Sequence, residues 1–340
     1  MVLVEAVCFF EEADKRTALK QDGFAFFGTI LPKIFSKQVQ KYRSQPQRYA
    51  IMVLSADRKE YIAEAEMDKN SVYSKLLTLD DKGMAIFERC CLGPTVYGDN
   101  DEREIAVSLK EMELATLSDL LGEVCVDEEI VREYNDHIKG KKFDEERKRV
   151  SWVYKCLRWC ENMYKFFAKT LFLKVINQRE DLQFRADEMM DIYRNLPDYC
   201  PESIEYGEWI IPNGLDLDEY DVKEKIEEQE HADFYIPTVD EIEEYFRKGL
   251  LFSKDYVQDM YKFLVEELGD EKEAAGRCFD FWFDYEFGED VNYRMKEMLS
   301  HLPVLKSKQE RLRYLATAFY RKMNMPCYNG HSQEYMESIL

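Results

Sequence analysis

A chain of 340 residues that is 46% hydrophobic, with 22 Tyr and 21 Phe, is long enough for two or three cores and too apolar to be disordered. Only 14 Gly and 9 Pro, beside abundant Glu, Lys, Leu and Met, point to a mainly helical protein. The net charge of −21 is uneven: residues 197–300 carry 30 acidic and 10 basic side chains, and the other 236 residues carry 38 and 37. One acidic stretch in a near-neutral chain does not by itself exclude nucleic acid as a partner of the rest.

The apolar run at residues 2–10 is short, contains Glu5 and lacks a basic leader, so it is expected to be core rather than a signal peptide. No stretch reaches the ~20 apolar residues that span a bilayer, and a cytoplasmic protein without membrane contact is expected. The nine cysteines have no regular spacing, so they are expected to be reduced and mostly buried.

Residues 32–48 hold five basic and no acidic side chains, with Ile34, Phe35, Val39 and Tyr42 at helical spacing, which predicts a surface helix. Short helices are predicted over 49–54 and from Asp57 with Tyr61, Ile62 and Ala65 inward. A third starts at Asn70 or Ser71 and buries Val72, Leu76, Leu77 and Leu79. Gly83 is read as its end, MAIFERCC as a strand, GPTVYGDND as a turn and REIAVS as a return strand. Three short helices followed by a small β-hairpin resemble a winged-helix module over residues 1–110.

The resemblance implies that Lys69, Asn70, Ser71, Tyr73, Ser74 and Lys75 lie on the exposed face that DNA-binding members insert into a major groove. Winged helices also dock proteins, and two cations make a thin electrostatic footprint.

A helical middle region is expected over 111–196. It includes a helix over 109–121 stopped by Gly122, a second over 127–138, and a long one carrying Trp152, Cys156, Trp159, Cys160 and Met163 on one face. Cys156 and Cys160 are one turn apart, but their aromatic surroundings favour core cysteines over metal ligands. A further helix is expected over 180–195. Residues 197–237, with four prolines, read as an acidic irregular linker in which EWIIP adds a short strand.

Residues 238–340 are marked by caps. Thr238 and Glu241 have capping-box spacing, and Gly249, Gly269 and Gly288 fall at helix ends. Ser253, Asp270 and Asp290 open further helices, and Ser307 with Glu310 opens a fifth that buries Leu312, Leu315, Ala316 and Phe319. This predicts a C-terminal helical bundle.

After it come Asn324, Met325, Pro326, Cys327, Tyr328, Asn329, Gly330 and His331. With the IPTVDEIEEYFRKG opening, they resemble the helical region of bacterial proteins that carry a SEC-C motif, over residues 236–335. The family's Cys-rich zinc tail does not occur in the sequence, so the resemblance implies no metal site. From the residues alone, Pro326 ends the helix, Asn329–Gly330 makes a turn, Ser332 caps a final helix and His331 packs back.

No P-loop, G-x-G-x-x-G, H-E-x-x-H or G-x-S-x-G occurs, and the histidines at 137, 231, 301 and 331 share no catalytic spacing. Asp280, Asp284, Glu286, Glu289 and Asp290 read as the wet side of an aromatic helix. The expectation is a non-enzymatic protein without cofactor, whose acidic helical surface binds a basic or amphipathic protein partner. The alternatives are a DNA-binding regulator and, third, a metal-dependent nuclease.

Overall fold

Two side-chain caps set the start of the described chain. Ser71 Oγ accepts from the Ser74 N–H at 3.2 Å and opens α1 (Val72–Leu77), and Asp80 Oδ1 accepts from the Gly83 N–H at 2.8 Å and opens α2 (Asp81–Cys91). The computed structural model describes residues 68–98, 100–118, 122–213, 219–230, 233–286 and 308–339. The helices expected at 32–48, 49–54, 57–65 and 290–302 lie outside these residues. The protein is mainly helical, with two small three-stranded sheets. Among the described residues no helix is long and apolar enough to cross a membrane. The described residues divide by packing into two units, one of those up to Ser151 with Asn195–Cys200, the other of those in Trp152–Arg194 and from Pro201 on.

In the first unit, α2 is followed by β1 (Thr95–Val96), α3 (Asn100–Glu111), β2 (Thr116–Ser118), β3 (Glu123–Cys125) and α4 (Glu128–Glu133). A π-helical turn follows at Tyr134–Ile138. This corrects the expected hairpin: MAIFERCC and REIAVS are both helical. Gly83 sits in the first turn of α2, where the Asp80 cap uses its N–H, and Met84, Phe87 and Cys90 recur at helical spacing on the buried side. Ala106 and Leu109 bury one face of α3, which starts on the acidic turn Asp101–Glu102. The helix expected through 121 ends at Glu111. Glu113 takes φ 58°, and the chain turns into β2. The sheet is antiparallel in the order β1–β3–β2, with Val124 opposite both Thr95 and Leu117. Tyr134 stacks edge-on between Phe87 and Phe143, with centroids 5.3 and 6.4 Å away.

The helix α5 (Lys141–Met163) carries the chain into the second unit. It is followed by β4 (Phe167–Ala168), α6 (Lys169–Ile176), α7 (Ala186–Asn195), β5 (Ser203–Tyr206) and β6 (Trp209–Pro212). The stretch expected to be irregular at 197–237 therefore holds two strands and a helix, α8 (Glu219–Glu230). The strands pair because Gly207 takes φ 58° in a tight hairpin turn and β5 alternates polar Ser203 and Glu205 with apolar Ile204 and Tyr206, which meet Ile211 and Trp209 on one face.

The second sheet is antiparallel, ordered β4–β6–β5. Phe167 opposite Ile210 lies on the inner face, and both are fully buried. The Tyr193 hydroxyl donates to the Ser203 carbonyl at 3.0 Å and ties β5 to α7. The outer face presents Ile204 opposite Ile211 and Tyr206 opposite Trp209, and Phe166 beside them joins the same cluster. Val222 and Ile226, one turn apart on α8, pack on it. These two side chains contribute about 3 kcal/mol of burial. A helix of 12 residues is marginal alone in water, so α8 depends on this contact.

The last helices follow their caps. Thr238 and Glu241 form a reciprocal capping box at the start of α9 (Val239–Lys248), which ends at Gly249 with φ 65°. The next helix, α10 (Asp255–Leu268), begins two residues after Ser253 and ends at Gly269 with φ 70°. Asp270 Oδ1 accepts from the N–H groups of Lys272 and Glu273 and opens α11 (Glu271–Glu286). The helix α10 packs against α11 and against α12 (Gln309–Lys322), whose Leu312, Ala316 and Phe319 are buried. A final helix, α13 (Gln333–Ile339), is capped by Ser332, whose Oγ accepts from Tyr335 N–H at 3.2 Å.

Candidate interaction surface

The acidic side chains of the second unit fall into two groups. One group is consumed by structure. Glu241 is 7% exposed and accepts from the Thr238 N–H at 2.8 Å, from the Tyr235 hydroxyl at 2.7 Å and from Lys254. Burial works against its charge, but these donors hold its carboxyl below the usual range. Glu243 pairs with the buried Lys155 at 2.5 Å, and Glu244 accepts from the Ser253 N–H at 3.0 Å.

The other group faces water. Asp240 on α9, Asp255 and Asp259 on α10, and Glu271 at the start of α11 are exposed and have no ion-pair partner among the described residues. Asp255 and Asp259 are one turn apart on the side of α10 opposite the buried Val257, Met260 and Leu264. Around Asp240, a shallow depression of about 460 Å³ is lined by Glu241, Glu243 and Glu244 and by the cations Arg247 and Lys248, with Thr238 and Ser253. Carboxylates arranged on rigid, capped helices attract cationic side chains at low ionic cost and steer them over a distance.

A second acidic centre lies inside the unit. Glu161 Oε1 accepts from the Ser203 hydroxyl at 2.6 Å and from the Glu202 N–H at 2.8 Å, and Arg158 lies 3.4 Å from its other oxygen. Burial pushes its carboxyl up to about 7, against the opposing pull of Arg158 and Ser203. Nearby Glu205 is held down to about 2, first by its bond from Arg194 and then by Lys169. These groups fasten β5 to α5, α6 and α7.

The residues expected to face DNA are largely occupied. Asn70 Nδ2 donates to Asp198 at 3.2 Å, and the Tyr73 hydroxyl donates to Glu146 at 2.8 Å. Ser71 is the α1 cap. Lys75 lies 3.2 Å from Glu113 with its side chain 12% exposed, and Lys69 is half-buried. Ser74 is a correction: it is 2% exposed, because its hydroxyl turns inward to the Asp68 carbonyl.

The closing segment is a compact clamp. Pro326 begins a 3-10 turn, and Asn329 and Gly330 take φ 54° and 79°. The Met325 N–H donates to the His331 carbonyl, and the Tyr235 N–H donates to the Asn329 carbonyl at 3.1 Å. His331 is 8% exposed, stacks on Tyr335 at 4.1 Å and lies 3.4 Å from Asp233. Burial lowers its pKa, and Asp233 opposes that shift.

Cys156 and Cys160 are fully buried, and burial pushes their thiols well up. Asp280 pairs with Arg277 at 3.5 Å. Glu289 and Asp290, with His231 and His301, lie outside the described residues. Among the described residues no three His, Cys, Asp or Glu side chains converge as a metal site would require. The chain matches no family model, no curated protein and no solved structure.

Proposed function

We propose that this is a non-enzymatic interaction protein whose second unit binds a basic or amphipathic protein partner through an acidic helical surface. The observation that carries the reading is the exposed set Asp240, Asp255, Asp259 and Glu271, which has no ion-pair partner among the described residues, beside Glu241, Glu243 and Glu244, which are tied into a cap and ion pairs. Asp240, Asp255 and Glu271 stand in the first turns of their helices, where the dipole favours a carboxylate, while Asp255 and Asp259 are like charges one turn apart whose repulsion a cationic partner relieves. A DNA-binding role through residues 69–75 has less support, because Lys75 is paired with Glu113 and Ser74 is buried. A nuclease role has less again, because Asp280 is engaged by Arg277.

The test is fluorescence anisotropy of the full chain with two labelled probes, a Lys/Leu amphipathic helical peptide and a random duplex DNA. The expected outcome is peptide binding that weakens as salt rises, with no saturable DNA binding at low salt. Steeply salt-dependent DNA binding lost on Lys69→Glu with Lys75→Glu would overturn the reading.

A further inference from the structure

The β4–β6–β5 sheet carries Phe167 and Ile210 with the polar Ser203 and Glu205 on its inner face, whereas its outer face is apolar up to the edge strand β5. The inner face is closed by the core of the unit. The outer face is formed by Phe166, Ile204, Tyr206, Trp209 and Ile211. Its cover among the described residues is α8, through Val222 and Ile226. The cover is incomplete, since Ile204 remains 44% exposed. The helix is also strongly acidic, with six Asp or Glu against two Lys in Glu219–Glu230.

We infer that α8 is a displaceable cover, and that the outer face of this sheet is the docking site for an amphipathic helix of a partner protein. The occupant presents aliphatic residues at one-turn spacing and carries Lys or Arg on its flanks. Three observations define that chemistry. The face already accepts a helix through two aliphatic residues one turn apart, which fixes the shape it takes. Ile204 offers contact that α8 leaves unused, so a helix with a third apolar residue covers more of the face. A displaced α8 stays tethered beside the site with its six acids, and Glu208 is exposed at the β5–β6 turn, so cationic flanks are favoured. Among the described residues the apolar contacts of α8 with the sheet are those of Val222 and Ile226, and a helix of 12 residues is marginal alone in water, so α8 belongs to the low-stability end of the unit.

The inference rests on the reading above that the partner is a basic or amphipathic protein, and it is tested separately from the α10 surface. In the full chain, hydrogen exchange should be fast at residues 219–230 and slow at 209–212. Val222→Asp with Ile226→Asp should release α8, shift Trp209 fluorescence to the red, and tighten binding of the Lys/Leu peptide by about tenfold or more. A scrambled peptide of equal charge should gain nothing, and Trp209→Asp in the released background should abolish the gain. Lys225→Pro, which breaks α8 at an exposed position, provides the same release if the double variant folds poorly.

Equal protection of α8 and β6, an unchanged peptide affinity on release, or equal binding of the scrambled peptide would each overturn the proposal. Dimerisation of the released variant without a gain in peptide affinity would overturn it too, by assigning the face to a second copy. Tighter binding on release, with no effect of Asp255→Lys and Asp259→Lys, would uphold this proposal and sink the α10 reading.

Discussion

Glu161 is a carboxylate that the fold holds away from water but still supplies with donors from Ser203 and Glu202. Its folded pKa of about 7 lies above the ordinary 4.5, so its contribution to stability is full below about 4.5 and is lost as pH rises through about 7. The melting temperature of the wild type minus that of Glu161→Gln should therefore fall as pH goes from about 5 to about 8. Parallel melting curves would contradict this account of the site. At Gly330, φ is 79° and an added Cβ would lie 2.9 Å from the Tyr164 ring. Gly330→Ala should cost about 1–3 kcal/mol in denaturant unfolding. Asn329→Gly, at φ 54°, should be close to neutral, because glycine takes that conformation freely.

At the scale of elements, legibility followed the locality of the signal. Thr238 with Glu241, Gly249 and Gly269 act within one turn, so their roles as caps and stops could be read from spacing. Thr238→Ala should lower stability by about 1 kcal/mol through loss of the cap, read as a shift in the unfolding midpoint at unchanged slope. The apolar runs around α2 and α3 were misread because short β-branched and aromatic runs suit either period. Asp80, three residues before Gly83, was the available helix signal. The turn Asp101–Glu102 was the corresponding mark for α3. The outer face of the second sheet was not legible, because it arises when β4, forty residues earlier in the chain, joins a hairpin around Gly207. Only EWIIP, which became β6, carried a local trace of it.

On the scale of the whole molecule, the charge asymmetry was plain in composition, whereas its division into structural and free acids required side-chain partners. Of the acids on α9, Glu241, Glu243 and Glu244 are engaged and Asp240 is not, although all four look alike in sequence. The DNA-facing expectation failed to gain support for the same reason. Lys75 and Tyr73 are fixed by Glu113 and Glu146, residues distant in sequence.

The central claim is that the exposed carboxylates of α10 hold a cationic protein partner. Calorimetric titration of the full chain with the Lys/Leu amphipathic peptide, with and without Asp255→Lys plus Asp259→Lys, tests it most directly. The prediction is that charge reversal weakens binding by about tenfold or more at low salt and that the difference shrinks as salt is raised. Identical affinities for the two proteins at every salt concentration would contradict it.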